Sequence, residues 1–512
     1  MLPAAMVPTS FLPFTAMDYR LGGPILVLTF FSLGILCFDL LLPPAKKHYS
    51  AAPALVGLAT AAWATHNIQQ MLPRNGGVLR AFFGVLLIDP FSVYFYYLFL
   101  AGTAVAVLIS IRYLEIERES HGEFYALLLF AVIGMMCMAA GYDLVLLFIG
   151  LELMATTTYV LVGFLRSNRR SNEAALKYLL LGAFSSAIFA YGLSLFYGLC
   201  GSTNLGDIAT ALGQRSAVTP HNPIMLLAML TTVAGMLFKI AAAPFHMWAP
   251  DVYEGAPTSV TGFMSVSVKA AGWALILRVL LFGLAPLREL YVPMLVFAAL
   301  LTLTAGNLAA LTQTNIKRLL AYSSIAHVGY MLLGLIASDG LSNRTGIKGI
   351  LFYLLVYTFM NLGAFAVLTS LRRRKIAGDN IDDIAGLLQK APVEATLMLV
   401  FLLSLAGIPS LAGFYGKYFI FLSLIETGHY ALATAAVLYA VVALYYYLKV
   451  ANAMFMRPAT SDEPVATTPG VGLALGVTAA ATVLIGLFPN TFIQAVEWSV
   501  GALAPGGVTL LK

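Results

Sequence analysis

Apolar residues run along this chain in blocks of about 20, separated by short polar or Pro/Gly-containing breaks. Blocks of that length predict membrane-spanning helices, over about 22–42, 52–72, 90–111, 124–141, 143–163, 174–199, 222–243, 257–283, 290–311, 319–338, 347–371, 392–427, 430–456 and 468–488. Two places do not read as simple helices. The stretch 222–255 runs into AAAPFHMWAPDVYEG, where Pro244 and Pro250 interrupt the backbone hydrogen-bond ladder. The stretch 392–427 is too long for one crossing and is cut by AGIPSLAGF at 406–414. These two broken helices stand five spans apart, as expected if one five-helix unit occurs twice. An odd repeat length inverts the second copy, and inverted repeats with broken helices at midplane are a recurring plan for ion and solute carriers.

Composition agrees. Of 512 residues, 60% are hydrophobic and 10% charged, with a mean hydropathy of +0.88. A soluble chain carries about 25% charged residues, so this one has too few to cover several soluble domains. The expected fold is an all-α polytopic membrane protein with about 14 transmembrane helices and no sizeable extramembrane domain.

The net charge of +6 does not indicate nucleic-acid binding, because the basic residues fall between the apolar runs; lipid is the expected surroundings. Lys and Arg divide about 16 to 9 between alternate loops. The richer set includes Lys46, Lys47, Arg166, Arg169, Arg170, Lys177, Lys317, Arg318 and the RRRK run at 372–375. The poorer set includes Arg74, Arg80, Arg215, Arg278, Arg288 and Lys512. The positive-inside rule puts the richer side in the cytoplasm and both termini outside. The first apolar run has no basic segment ahead of it and no small-residue cleavage site behind it, so it reads as a retained span. Cys37, Cys137 and Cys200 lie far apart without CxxC, haem or iron–sulfur spacing and read as packing residues. No phosphate-binding G-x-x-x-x-G-K-[ST] loop or clustered metal ligands occur. The energy source lies outside this chain.

What remains after loop charges are removed carries the chemistry. Glu152 sits in LLFIGLELMATTTYV, Lys239 in MLFKIAAAPFH just ahead of the first break, and Lys269 in FMSVSVKAAGWAL. Lys269 follows Pro257 by 12 residues, or roughly 18 Å along a helix, which is near the middle of a span. Lys417, in LAGFYGKYFIF, follows the second break, and His327 lies in YSSIAHVGYMLLG. Ionisable groups at such depth line bundle interiors or water-filled cavities, although a lysine can also snorkel to an interface. Snorkelling is the preferred reading for Lys449 in YYYLKVANAMF, and His66 and His246 read mainly as structural. Burial favours the neutral form of a lysine, and a nearby carboxylate restores its charge. A proton crossing about 180 mV requires about 4 kcal/mol, so the two states of a pump must differ about a thousandfold in proton affinity. Making and breaking a buried Lys–carboxylate pair supplies such a change.

The segments KIAAAPFHMWAPDVYEGAPTSVTGFMSVSVKA (239–270), NLAALTQTNIKRLLAYSSIAHVGYM (307–331), SLAGIPSLAGFYGKYF (404–419), GYDLVLLFIGLEL (141–153) and RRSNEAALKYLLLGAFSSA (169–187) strongly resemble the antiporter-like subunits of respiratory complex I. The resemblance covers about residues 120–457. It implies 14 helices, with helices 4–8 and 9–13 as inverted repeats and helices 7 and 12 broken. That divides the chain into 1–120, a first repeat at 121–283, a second at 284–457 and a C-terminal helix and tail at 458–512. It also implies that Glu152 and Lys239 form a switchable pair gating proton entry, that Lys269 and His327 relay, and that Lys417 passes the proton outward. NADH, FMN, iron–sulfur clusters and quinone would belong to partner subunits, with an M-type antiporter-like subunit and a small K-type subunit as neighbours. The expected location is a bacterial inner membrane. The sequence runs about 25 residues past its last span, short of the lateral helix of the L-type subunit, and Lys417 stands where the M-type usually has glutamate; both favour the remaining type. Rivals are a subunit of a multisubunit Na⁺/H⁺ antiporter, an inverted-repeat solute carrier and a structural membrane anchor.

Overall fold

The apolar blocks fold as helices whose starts are fixed by polar caps. The computed structural model describes residues 14–119, 121–214, 222–338, 343–372, 379–459 and 468–501. Arg215, Arg373, Arg374, Lys375, Lys512 and both chain ends lie outside the described residues. In chain order the long helices are α1 (Gly23–Leu41), α2 (Ala51–Met71), α3 (Pro90–Glu117), α4 (Gly122–Ala140), α5 (Leu144–Val162) and α6 (Arg169–Cys200). Next come the pair α7a (Pro223–Lys239) and α7b (Trp248–Gly255), then α8 (Thr258–Gly283), α9 (Arg288–Thr312), α10 (Ile316–Ala337) and α11 (Thr345–Leu371). The pair α12a (Pro392–Ala406) and α12b (Ala412–Glu426), α13 (Tyr430–Met456), α14 (Pro469–Leu487) and α15 (Pro489–Gly501) complete the series. Among the described residues 11 helices are long and apolar enough to cross a membrane. The helix α2 is 21 residues long but is diluted by His66, Asn67, Gln69 and Gln70. It and the two interrupted pairs, α7a/α7b and α12a/α12b, fall outside that count.

Asp89 accepts the Ser92 N–H at 2.8 Å ahead of Pro90, Asp143 accepts the Val145 N–H at 2.8 Å, and Asn222 accepts the Ile224 N–H at 3.0 Å ahead of Pro223. These caps satisfy backbone donors that a helix start leaves open. Strand content is limited, among the described residues, to a hairpin pairing Leu79–Ala81 with Leu86–Ile88 before α3. Sequence periodicity predicts no strand there, and it places α15 in a tail rather than in a helix.

Both predicted breaks are present, with one change. Pro244 lies in the irregular link between α7a and α7b, but Pro250 is the third residue of α7b. There its missing N–H falls in the first turn, where no intrahelical partner exists, so Pro250 starts a helix rather than ending one. Burial sorts the bundle. The apolar windows of α8, α10 and α11 are 89%, 94% and 89% buried, whereas those of α1, α6 and α13 are 28%, 28% and 22% buried. The first three form the centre, and the others turn an apolar face outward.

Two basic residues counted as loop charges prove to be interior. Arg278 is fully buried near the end of α8, and Lys317 is 1% exposed at the start of α10. Lys317 is the second residue of α10 and Arg278 stands five residues before the end of α8, where a count by loop does not separate a solvated charge from a matched one.

Candidate functional site

The first interior group is Glu152, half-buried on α5, whose Oε1 accepts a short hydrogen bond from the Ser186 hydroxyl on α6. Lys239, 5% exposed, is the last residue of α7a. It lines a cavity of about 10 Å³ together with Ser185, Ser186, Tyr159, Gly182, Gly235 and neighbouring apolar side chains. That volume is about what one water needs. Among the described residues Glu152 and Lys239 are not joined as a contact ion pair; Ser186, bonded to one and bordering the cavity of the other, stands between them.

The link after Lys239 is held open by two side chains. Trp248 Nε1 donates to Phe238 O at 3.1 Å, and the Ala243 N–H donates to Thr302 Oγ1 at 2.8 Å. Backbone freed by a break in a membrane helix needs such partners.

Lys269 follows a π-helical turn, Met264–Val268, inside α8. It is 3% exposed, donates a short hydrogen bond to Ser324 Oγ on α10 and lies 5.7 Å from the Tyr253 ring centre. Single π-turns inside helices recur at functional positions. His327, 2% exposed, has a phenol at each ring nitrogen: Tyr353 Oη is 2.5 Å from Nδ1 and Tyr447 Oη is 3.0 Å from Nε2. Tyr447 also bonds Ser323 through a short contact. Lys417, 4% exposed, reaches back from α12b to the open carbonyls of α12a, donating to Ala406 O at 2.7 Å and Leu405 O at 3.1 Å. Its amine lies 5.2 Å from the Tyr330 ring centre.

All five predicted residues therefore lie inside the bundle or on its inner margin, each with a defined partner or cavity, but no two are in direct contact. Hydroxyls separate them. Sequence reasoning misses Ser186, Ser323, Ser324, Tyr353 and Tyr447, although a signal exists. Ser323 and Ser324 stand four and three residues before His327, on its helical face, and Tyr353 and Tyr357 repeat at i, i+4 within an otherwise apolar run. Lys449 donates to Leu311 O at 3.2 Å and Gln313 O at 3.0 Å; it closes the end of α9 and takes no part in the row.

A charged cluster sits at the end of the bundle where α7b finishes. Lys177 contacts Asp251 at 2.9 Å and Glu173 at 3.0 Å, and Arg318 contacts Asp251 at 2.8 Å and Glu254 at 2.9 Å. Lys317 donates to Glu254 O at 2.8 Å and Ala256 O at 2.7 Å, capping α7b. The opposite end holds a buried pair, Arg278 with Asp89.

A bundle with two broken helices and a set of ionisable side chains buried in its interior defines a class of antiporter-like membrane subunits, and comparison bears this out. The family model described as NADH:quinone oxidoreductase/Mrp antiporter, TM matches residues 141–443. NADH-quinone oxidoreductase subunit N 1 of Koribacter versatilis (strain Ellin345) is 64% identical over 487 residues, covering 94% of this chain and 95% of the relative. A chain of respiratory complex I from Thermus thermophilus with bound aureothin is similar at a TM-score of 0.76 and 35% identity, covering 92% of this chain and 99% of that one. A chain of the Mrp complex from Dietzia sp. DQ12-45-1b has the same fold, with a TM-score of 0.81 at 18% identity over 96% of this chain and 98% of its own. This chain belongs to the subunit N family of NADH-quinone oxidoreductases, antiporter-like subunits of the membrane arm of respiratory complex I.

Proposed function

We propose that this chain moves protons across the membrane through the row Glu152, Lys239, Lys269, His327 and Lys417, driven by electron transfer in other subunits. The carrying observation is the row itself: four of its five members are between 2% and 5% exposed, a placement costly enough to mark an ion path. In this reading Glu152 and Lys239 gate entry, with Ser186 and a water-sized cavity between them. Lys269 and His327 relay, and Lys417 releases the proton outward.

The family relationship supports the remaining assignments. NADH, FMN, iron–sulfur clusters and quinone are bound by partner subunits, and this chain carries no redox step. The M-type antiporter-like subunit and the small K-type subunit are its neighbours. The protein lies in the bacterial inner membrane with both termini on the periplasmic side. Residues 121–283 and 284–457 are two inverted five-helix units, each containing one break, at 240–247 and 407–411. A subunit of an Na⁺/H⁺ antiporter would share this fold, but the 64% identity to a complex I subunit favours the present reading.

Lys239→Ala and Glu152→Ala, introduced separately into assembled complex in proteoliposomes, are expected to lower the protons translocated per NADH oxidised. Full stoichiometry in both variants would remove the relay assignment.

A further inference from the structure

His327 is the one member of the row with a hydrogen-bonding partner at both ends of its side chain, and the identity of those partners constrains how it works. A neutral imidazole has one N–H donor and one bare nitrogen acceptor, whereas an imidazolium has two donors. A phenol can donate and accept at the same time. Tyr353 at Nδ1 and Tyr447 at Nε2 therefore suit either neutral tautomer, one hydroxyl donating to the ring while the other accepts from it. Among the described residues no carboxylate or backbone carbonyl bonds the ring, and its two neighbours in the row, Lys269 and Lys417, are both lysines.

The surroundings give the arrangement a direction. Tyr447 bonds Ser323, the residue next to Ser324, which receives Lys269. On the other side the Tyr330 ring lies 6.4 Å from the imidazole and 5.2 Å from the Lys417 amine, and the base of Tyr353 packs on Gly416, where a Cβ would stand 2.8 Å from Tyr353 Cδ2. Gly416 is followed by Lys417. Ser323, Tyr447, His327 and Tyr353 thus form a hydrogen-bonded chain running from the Lys269 side to the Lys417 side. Rings whose hydroxyls are unmatched among the described residues flank this chain: Tyr253 lies beside the Lys269 amine and Tyr330 beside the Lys417 amine, while Tyr357 packs its ring 5.1 Å from the imidazole.

We propose that Tyr447 and Tyr353 are proton-handling residues, and that His327 works by exchanging its two neutral tautomers between them rather than by holding a proton as an imidazolium. This rests on the proton-path reading above. In one passage Tyr447 receives a proton from the Ser323 side while its own O–H breaks and Nε2–H forms. In the same passage Nδ1–H breaks, Tyr353 gains that proton, and Tyr353 releases its own toward Lys417. One proton enters, one leaves, and every group in the chain ends neutral. The ring and both hydroxyls must then reorient before the next passage.

Assembled complex in proteoliposomes tests this with Tyr353→Phe, Tyr447→Phe, His327→Lys and Lys239→Ala. The phenylalanine variants keep the ring and remove only the hydroxyl; a lysine at 327 holds a proton but offers no second nitrogen. All four are expected to lower the rate of proton translocation by about tenfold or more. Full pumping by both phenylalanine variants, or by His327→Lys, while Lys239→Ala is impaired, would overturn tautomer exchange and leave the path intact. Full pumping by Lys239→Ala would instead overturn the path. As a second readout, the turnover-minus-resting infrared spectrum of complex with ring-labelled histidine is expected to show no imidazolium band from His327. A band that rises during turnover and is lost in His327→Gln would overturn the proposal.

Discussion

A guanidinium taken out of water needs its N–H groups matched, and Arg278 is matched closely. Its two terminal nitrogens hold Asp89 at 2.7 and 2.6 Å, its Nε donates to Ala139 O at 2.9 Å, and its plane lies 4.6 Å from the Phe91 ring centre. The pair joins α3, α4 and α8 at one end of the bundle. Its value lies in the matching: a buried pair adds little over an apolar pair of equal volume, but removing one partner strands the other charge. Asp89→Asn is therefore expected to destabilise the fold by about 3–5 kcal/mol, measured by thermal unfolding of the complex in detergent. The double variant Asp89→Leu with Arg278→Met should recover most of that loss. Arg278 stands in the apolar run WALILRVLLFG inside the predicted span 257–283, so its burial is legible in the residue pattern, whereas its partner, 189 positions away, is not. Lys269 and Lys417 are legible in the same way, each flanked on both sides by apolar sequence.

Broken helices turn local sequence into a binding geometry. Gly407, after α12a, has φ of +90°, and a Cβ there would meet Lys417 Cδ at 2.9 Å. Glycine is required twice over, by the left-handed backbone and by the lysine stem that crosses it. Gly407→Ala is expected to cost about 1–2 kcal/mol and to push the Lys417 amine away from Ala406 O. Its signature is pumping lost at a temperature where the complex is still folded. At the far end of α7b, beyond the other break, Lys317→Met removes both bonds that cap the helix, and hydrogen exchange of the 249–256 amides should rise, while Lys317→Arg should largely preserve protection. The position of both breaks was readable from Pro and Gly spacing. What Lys417 and Lys317 bond to was not, because open helix carbonyls leave no mark on composition.

Across the whole molecule, the proposed path makes the row a set of links in series. If each link carries the same proton, cutting a second adds nothing to cutting the first, as for other groups that act as a unit. Lys239→Ala combined with Lys417→Ala is expected to pump no less than either single variant, assayed as protons per NADH in the same vesicles; additive losses would indicate separate routes. The two ends of the series also differ in kind. Glu152 can be discharged by a proton, so the attraction it exerts toward Lys239 can be turned on and off. Lys417 instead sits on the carbonyls of Leu405 and Ala406, the negative pole of a helix dipole, and no proton arriving at physiological pH erases that field. On the proposed path one terminal would be a switch and the other a fixed reference, which is how a rectifier is built: gated at its entrance, with a constant bias at its exit.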